Sequence, residues 1–195
     1  MSVKRIGLTG GIATGKSTVS RYLNYLGYVV LDSDQFAHEA YQDADVYHEI
    51  ETYFPSCVSN GMIDRQTLGR LVFDDPDQKK KLESIIHPYV KARLHQGIQQ
   101  HHDQGLIFLD IPLLFEAHME DFCDEIWVVN LSWEAQLERL IKRNGLSEAE
   151  ALSRMKSQWP LREKCAQADF VIDNNGDLAS LYAQIDQRLE ADDHA

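Results

Sequence analysis

Gly10-Gly-Ile-Ala-Thr-Gly15-Lys16-Ser17 fits the pattern GxxxxGK[ST], the residue set that holds a nucleoside triphosphate. Glycines let backbone N–H groups turn inward around phosphate oxygens. The helix that follows adds partial positive charge at its N-terminus. Lys16 can reach the β- and γ-phosphates, and the Ser17 hydroxyl can ligate Mg²⁺. Gly10, Gly11, Ala13, Thr14, Gly15, Lys16, Ser17 and Thr18 are therefore the expected ATP-binding residues. Three carboxylates stand at the ends of strand-like runs: Asp32 and Asp34 after the second run, and Asp110 closing the third. In parallel α/β sheets the carboxyl ends of the strands meet at the ligand crevice. A carboxylate there can take the proton of an acceptor hydroxyl or hold Mg²⁺ through water, the role expected of Asp110. Each of these acids also suits a helix N-cap or a turn.

The elements that must position these groups follow from apolar patterning. Val3–Thr9 reads as a strand, residues 16–26 as a helix stopped by Gly27, and Tyr28–Asp32 as a buried strand. Strands follow over Gly105–Asp110, Glu125–Asn130 and Asp169–Asp173, with helices over Trp133–Lys142, Ser147–Lys156 and from Leu178. Ser147-Glu-Ala-Glu150 is a capping box. Between Gln35 and His102 helical patterns dominate, broken at Pro55 to Gly61, around Pro76 and at Pro88. That stretch is too long for a simple crossover and predicts an inserted helical subdomain. The strands are near-continuous apolar runs, as in a parallel sheet covered on both faces. The expected fold is α/β: a three-layer parallel-sheet P-loop core with an inserted helical acceptor-binding domain and a helical lid. The expected segments are 1–34, core with the phosphate loop; 35–103, acceptor domain; 104–133, core; 134–164, lid; and 165–195, core.

Composition narrows the class. The 195 residues include 19 basic and 31 acidic side chains, a net charge of −12. That argues against general nucleic-acid binding, which runs on phosphate neutralisation. Only residues 1–34 and 134–164 are locally positive, and these are where an anion would sit. No apolar run is long enough to cross a bilayer. The opening residues lack the apolar stretch of a signal peptide. The three cysteines, Cys57, Cys123 and Cys165, form no CxxC pair and are expected to be core residues. A monomer in a reducing cytoplasm is the expectation, with a weak oligomer as the alternative. There is no guanine-recognition NKxD motif, and the length suits a small kinase. Such an enzyme must bind an acceptor and exclude water, which would otherwise take the phosphoryl group. A nucleoside or nucleotide kinase, and a nucleotide-sensing module that transfers nothing, are the competing readings.

Several linked motifs together resemble the dephospho-coenzyme A kinase family. Gly7–Thr18 is similar to its phosphate loop, and Val30-Leu-Asp32-Ser-Asp34 to its D-A-D stretch, with Ser33 for the commoner Ala. Leu82–Pro88 resembles its His-Pro motif and Asp110-Ile-Pro-Leu-Leu-Phe-Glu116 its P-L-L-F-E motif. Gln158, Ala168-Asp169 and Val171–Gly176 resemble its C-terminal signature. The resemblance implies ATP- and Mg²⁺-dependent phosphorylation of the ribose 3′-hydroxyl of dephospho-coenzyme A, with those two small molecules as the only partners. It implies Asp34 as the catalytic carboxylate, acting with Lys16, and Asp32 as its support on the substrate side. Arg65, His87 and Pro88 fall in the acceptor domain, and Pro112, Leu113, Leu114 and Glu116 shape the acceptor pocket. The resemblance places Arg139, as a catalytic residue, and Arg143, as an ATP-binding residue, in the lid, where Arg can clamp phosphate oxygens, and Arg154 is a further lid candidate. At position 38, where the family often has Arg, this chain has His38. Trp133 and Trp159 are expected to pack at the lid rather than stack on adenine.

Overall fold

A computed structural model describes residues 3–193, without the side chains of Asp74, Asp192 and Asp193. In chain order the elements are β1 (Lys4–Gly10), α1 (Lys16–Tyr25), β2 (Val30–Asp32), α2 (Ser33–Ala40), α3 (Ala44–Tyr53), β3 (Val58–Ser59), β4 (Met62–Ile63), α4 (Arg65–Asp74) and α5 (Pro76–Gln100). Then come β5 (Leu106–Asp110), β6 (Glu125–Asn130), α6 (Trp133–Asn144), α7 (Glu148–Lys156), α8 (Leu161–Ala166), β7 (Phe170–Asp173) and α9 (Leu178–Asp193). The chain divides into two compact units. One is the chain up to Leu31 together with the chain from His101 onward; the other is Asp32–Gln100.

In the first unit, five strands form a sheet in the order β2-β5-β1-β6-β7. β1 runs parallel to both β5 and β6, and β6 parallel to β7. The apolar runs are continuous because both faces are covered. Ile6, Leu8, Phe108, Trp127, Val129 and Ile172 meet Val19 and Leu23 of α1 and Leu181, Ile185 and Leu189 of α9. On the opposite face, Ile107, Leu109 and Val128 are equally buried, and α8 lies against β6. α1 ends in a Schellman motif: the Tyr28 N–H donates to the Leu23 carbonyl at 3.1 Å and the Gly27 N–H to Asn24 at 3.0 Å, with Gly27 at φ 93°. α9 runs to Asp193; His194 and Ala195 lie outside the described residues.

The second unit is built around α5. Helices α2, α3 and α4 all lie on it, burying Phe36, Ala40, Val46, Ile50, Leu68, Ile85, Ile86, Val90 and Leu94. The break expected at Pro88 does not occur, since α5 runs through it. Proline removes one N–H from the helical ladder and crowds the carbonyl four residues back. Ser84 and Pro88 are both exposed, so water can solvate that carbonyl, while buried Ile85, Ile86, Val90 and Leu94 hold the helix on course. The stretch expected only as a break also contains an antiparallel hairpin, β3 with β4. It turns at Asn60 (φ 52°) and Gly61 (φ 72°), the residue pair that a tight hairpin prefers.

Candidate active site

The loop between β1 and α1 is fixed by bonds within itself and to two side chains distant in the chain. Thr14 is fully buried; its N–H and its hydroxyl both donate to the Gly11 carbonyl, at 3.2 and 2.9 Å. The Asn174 amide donates to the Thr14 carbonyl at 2.7 Å, and the Gln158 Oε1 accepts from the Ile12 N–H at 2.8 Å. Gly15, at φ 97°, precedes α1 and offers it no side-chain cap, and no acidic residue occupies the first turn. The first N–H groups of a helix have no intrahelical acceptor. An anion is their natural partner. Ala13 also adopts a left-handed conformation, φ 63°, which costs a non-glycine residue about 1–2 kcal/mol.

Lys16 ion-pairs with Asp110, which also accepts from the Ser20 hydroxyl, so both oxygens of that nearly buried carboxylate are engaged. The β1–β5 register explains the meeting, since Asp110 pairs with Leu8 two residues before the loop begins. Arg139, on α6, reaches the loop's far side, its Nη2 3.5 Å from the Asn174 carbonyl. Arg143, one turn further, is exposed and donates from Nε to the Asn144 side chain at 2.9 Å. α6 begins at Ser132, whose hydroxyl accepts from Ala135 N–H at 3.3 Å.

The turn after β5 carries Pro112, Leu113, Leu114 and Glu116. Leu114 is fully buried, whereas Pro112, Leu113 and Glu116 are half-buried. The Pro112 carbonyl accepts from the Thr9 hydroxyl at 3.0 Å. Glu116 Oε1 accepts from the Trp159 N–H at 3.0 Å, and the Trp159 ring stacks on Phe115 with centroids 6.0 Å apart. Sequence reasoning missed the group that ties this region together. Lys164, on α8, has no exposed surface; its Nζ lies 2.8 Å from Glu116 Oε1, 3.2 Å from the Gly10 carbonyl and 3.5 Å from the Pro112 carbonyl. A lysine two residues after Arg162 reads as a solvated helix face, and its partners are too distant in the chain to signal otherwise.

The remaining predicted residues lie in the second unit. Asp32 caps α2, its Oδ1 accepting from the N–H groups of Asp34 (2.8 Å) and Gln35 (3.2 Å). That leaves Asp34 in the first helical turn. Arg65 opens α4 behind its Asp64 cap and meets His38, with Nη1 and Nη2 each 2.8 Å from one ring nitrogen; its guanidinium also lies 5.0 Å over the Tyr41 ring. His87 is half-buried on α5, and burial pulls its pKa below the usual value, with Lys91 acting the same way and Glu83 opposing. Cys57 is buried. Burial pushes the Cys123 thiol up to about 12, so it stays protonated and inert at neutral pH.

The family model for dephospho-CoA kinase matches residues 4–180. The chain belongs to the dephospho-CoA kinase family. It is 48% identical over 184 residues to the dephospho-CoA kinase of a Synechocystis species, covering 92% of each chain. Among solved structures, a Thermus thermophilus protein superposes with a TM-score of 0.87 at 37% identity, covering 98% of both chains. The Campylobacter jejuni dephospho-CoA kinase superposes with a TM-score of 0.70 at 29% identity, covering 95% of both. Members of this family are kinases.

Proposed function

We propose that this chain transfers the γ-phosphoryl group of ATP to the ribose 3′-hydroxyl of dephospho-CoA, giving CoA and ADP, the last step of CoA synthesis. The observation that carries the reading is the uncapped loop-to-helix junction at Gly15–Lys16 in a chain whose family match runs from residue 4 to 180. In this reading residues 35–103 bind the acceptor and residues 134–164 close as a lid. The loop N–H groups and Lys16 bind and neutralise the phosphates, and Lys16 exchanges Asp110 for phosphate oxygens when ATP arrives. Asp34 takes the proton of the acceptor hydroxyl as the phosphoryl group moves. Arg139 and Arg143 orient the transferring group and offset its charge. Arg65, His87, Pro88 and the 112–116 turn position the acceptor. The Ser17 hydroxyl and the Asp110 carboxylate, the latter through water, form a hard-oxygen pair of the kind that holds Mg²⁺ together with substrate phosphates. That ion would supply further charge neutralisation between the phosphates. A monomer in the cytoplasm fits the three free cysteines. Among the described residues, no helix is long and apolar enough to cross a membrane.

The test is ADP release by the purified protein with ATP and Mg²⁺, with dephospho-CoA or a panel of nucleosides and nucleotides as acceptor. Stimulation by dephospho-CoA alone, with CoA as product, is expected. Stimulation by a nucleoside instead moves the acceptor, and ATP binding with no stimulation by any acceptor rejects phosphoryl transfer.

A further inference from the structure

The β1–β5 ladder ends at the pair Leu8 and Asp110. Beyond it the two chains part. β1 continues beside β6 through Thr9 and Gly10 into the phosphate loop, while β5 leaves the sheet for the 112–116 turn. The donor side and the acceptor-facing turn therefore separate at the point where their spacing matters. Lys164 sits in that fork. An ammonium group has three N–H donors, and here three acceptors surround it: the Gly10 carbonyl on the loop branch, and the Pro112 carbonyl and Glu116 carboxylate on the turn branch. The α7–α8 connector adds parallel bonds, Gln158 to the Ile12 N–H and the Trp159 N–H to the same Glu116 oxygen. The other Glu116 oxygen is buried with no protein partner, so the carboxylate is held on one side only. A lysine with no exposed surface contributes nothing to solubility, and an apolar side chain would fill its volume without the cost of burying a charge. The bonds it makes are what an apolar residue could not supply.

We propose that Lys164 is a positioning residue for phosphoryl transfer: from the fork between β1 and β5 it fixes the spacing of the phosphate loop and the acceptor-facing turn, so that the phosphoryl group goes to the acceptor hydroxyl and not to water. This rests on the function proposed above. Lys164 has no exposed surface and acts through Gly10, Pro112 and Glu116.

The test compares wild type with Lys164→Met, Lys164→Gln and Lys164→Arg, reading ADP and CoA from the same reaction and the melting temperature of each protein. Lys164→Met is expected to lower kcat for CoA formation on the order of a hundredfold, the cost of a small misplacement of reacting groups, with KM for ATP unchanged. The ratio of ADP to CoA should rise above the wild-type value of one as water intercepts the phosphoryl group. Lys164→Arg, which keeps charge and donors, should recover part of the coupling. A Met variant with lowered melting temperature but unchanged kcat and ratio makes Lys164 structural only and overturns the proposal. If the Met variant is unfolded, the ratio is read on the Gln variant; if both are unfolded, Lys164 is a folding residue and the positioning role is rejected. A wild type that forms no CoA overturns the proposed function, and this inference with it; a wild type that forms CoA beside coupled variants overturns the inference alone.

Discussion

In the proposed reaction Lys16 would carry a double load, binding phosphate as well as neutralising the buried Asp110, and the two can be separated by experiment. Replacing it by Ala removes a cation from the nucleotide site and strands the nearly buried Asp110 with only Ser20. Lys16→Ala is expected to lower kcat/KM roughly 10²–10³-fold, the scale for losing one preorganised charge partner. It should also lower the melting temperature, because an acid left unpaired in the interior is destabilising. Steady-state kinetics well below the melting point distinguish the two effects. Retained turnover there would count against the proposed chemistry. Asp34→Asn keeps the shape of the first turn of α2, since the cap is made by Asp32. It should leave ATP binding intact and lower kcat by about 10²–10⁴-fold, the range for a lost general base. Reduced ATP binding with an unchanged rate would make Asp34 a structural acid. At this scale the sequence was informative where a structural feature is written locally. The spacing of Gly10–Ser17 points to a strand-to-helix loop, and the loop lies between β1 and α1. It was silent where function depends on folding: Lys164 meets Gly10 from 154 residues away, and no local pattern announces that.

Elements show the same division between local and tertiary causes. The capping box at Ser147 was legible because its two bonds close within four residues. The Glu150 N–H donates to the Ser147 hydroxyl at 3.3 Å, and the Ser147 N–H donates to Glu150 at 2.9 Å. Ser147→Ala should destabilise the protein by about 1 kcal/mol. That corresponds to a melting temperature lower by about 2–4 °C for a chain of this size. No change in calorimetry would mean that α7 is held by its buried Ala151 and Met155 alone. Pro88 is the opposite case. Local rules end a helix there, yet the burial of Ile85, Ile86, Val90 and Leu94 carries α5 through it. Pro88→Ala restores the missing N–H and removes the ring's crowding, so the melting temperature should rise. A stabilised variant with a raised KM for dephospho-CoA would show that the proline serves the acceptor at the expense of its helix. A stabilised variant with unaltered kinetics would make the His87-Pro88 pair structural. The β3–β4 hairpin was missed although Asn60-Gly61 is a turn signal, because two-residue strands carry too few residues to show alternation. α8 was missed for a like reason, its six residues giving less than two helical turns.

For the molecule as a whole, the surplus of acids sets a tolerance to acid that depends on a few of them. At the amino end of the sheet Glu125 accepts from Lys4 at 2.7 Å, from Arg188 at 2.6 Å and from the Trp127 indole at 2.6 Å, tying β1 and α9 to β6. Asp124 beside it takes a two-pronged bond from Arg5, at 2.9 and 2.6 Å. Burial works against the charge on Glu125, but Lys4, Trp127 and Arg188 together hold its carboxyl below the usual 4.5. The Arg5 guanidinium holds Asp124 below 3.8. A carboxyl whose folded pKa is depressed adds stability above its unfolded pKa and loses it as pH falls through the folded value. Stability from these two groups is therefore complete at neutral pH and drains away below about pH 4.5. The net charge of −12 acts in the other direction, because protonating surface acids relieves repulsion. That repulsion spans distances comparable to the ~10 Å screening length and is weak in ordinary salt. The contacts at 2.6–2.9 Å are not screened in this way, so they dominate at low pH. Urea unfolding of the wild type at a series of pH values should show a midpoint nearly constant from pH 7 to 5 and falling steeply from 4.5 to 3. Glu125→Gln should lower the midpoint at pH 7 and flatten the fall, since its clamp is already lost. If the Gln variant keeps the wild-type slope, the acid sensitivity belongs to other carboxylates, and the amino end of the sheet does not set the protein's pH limit.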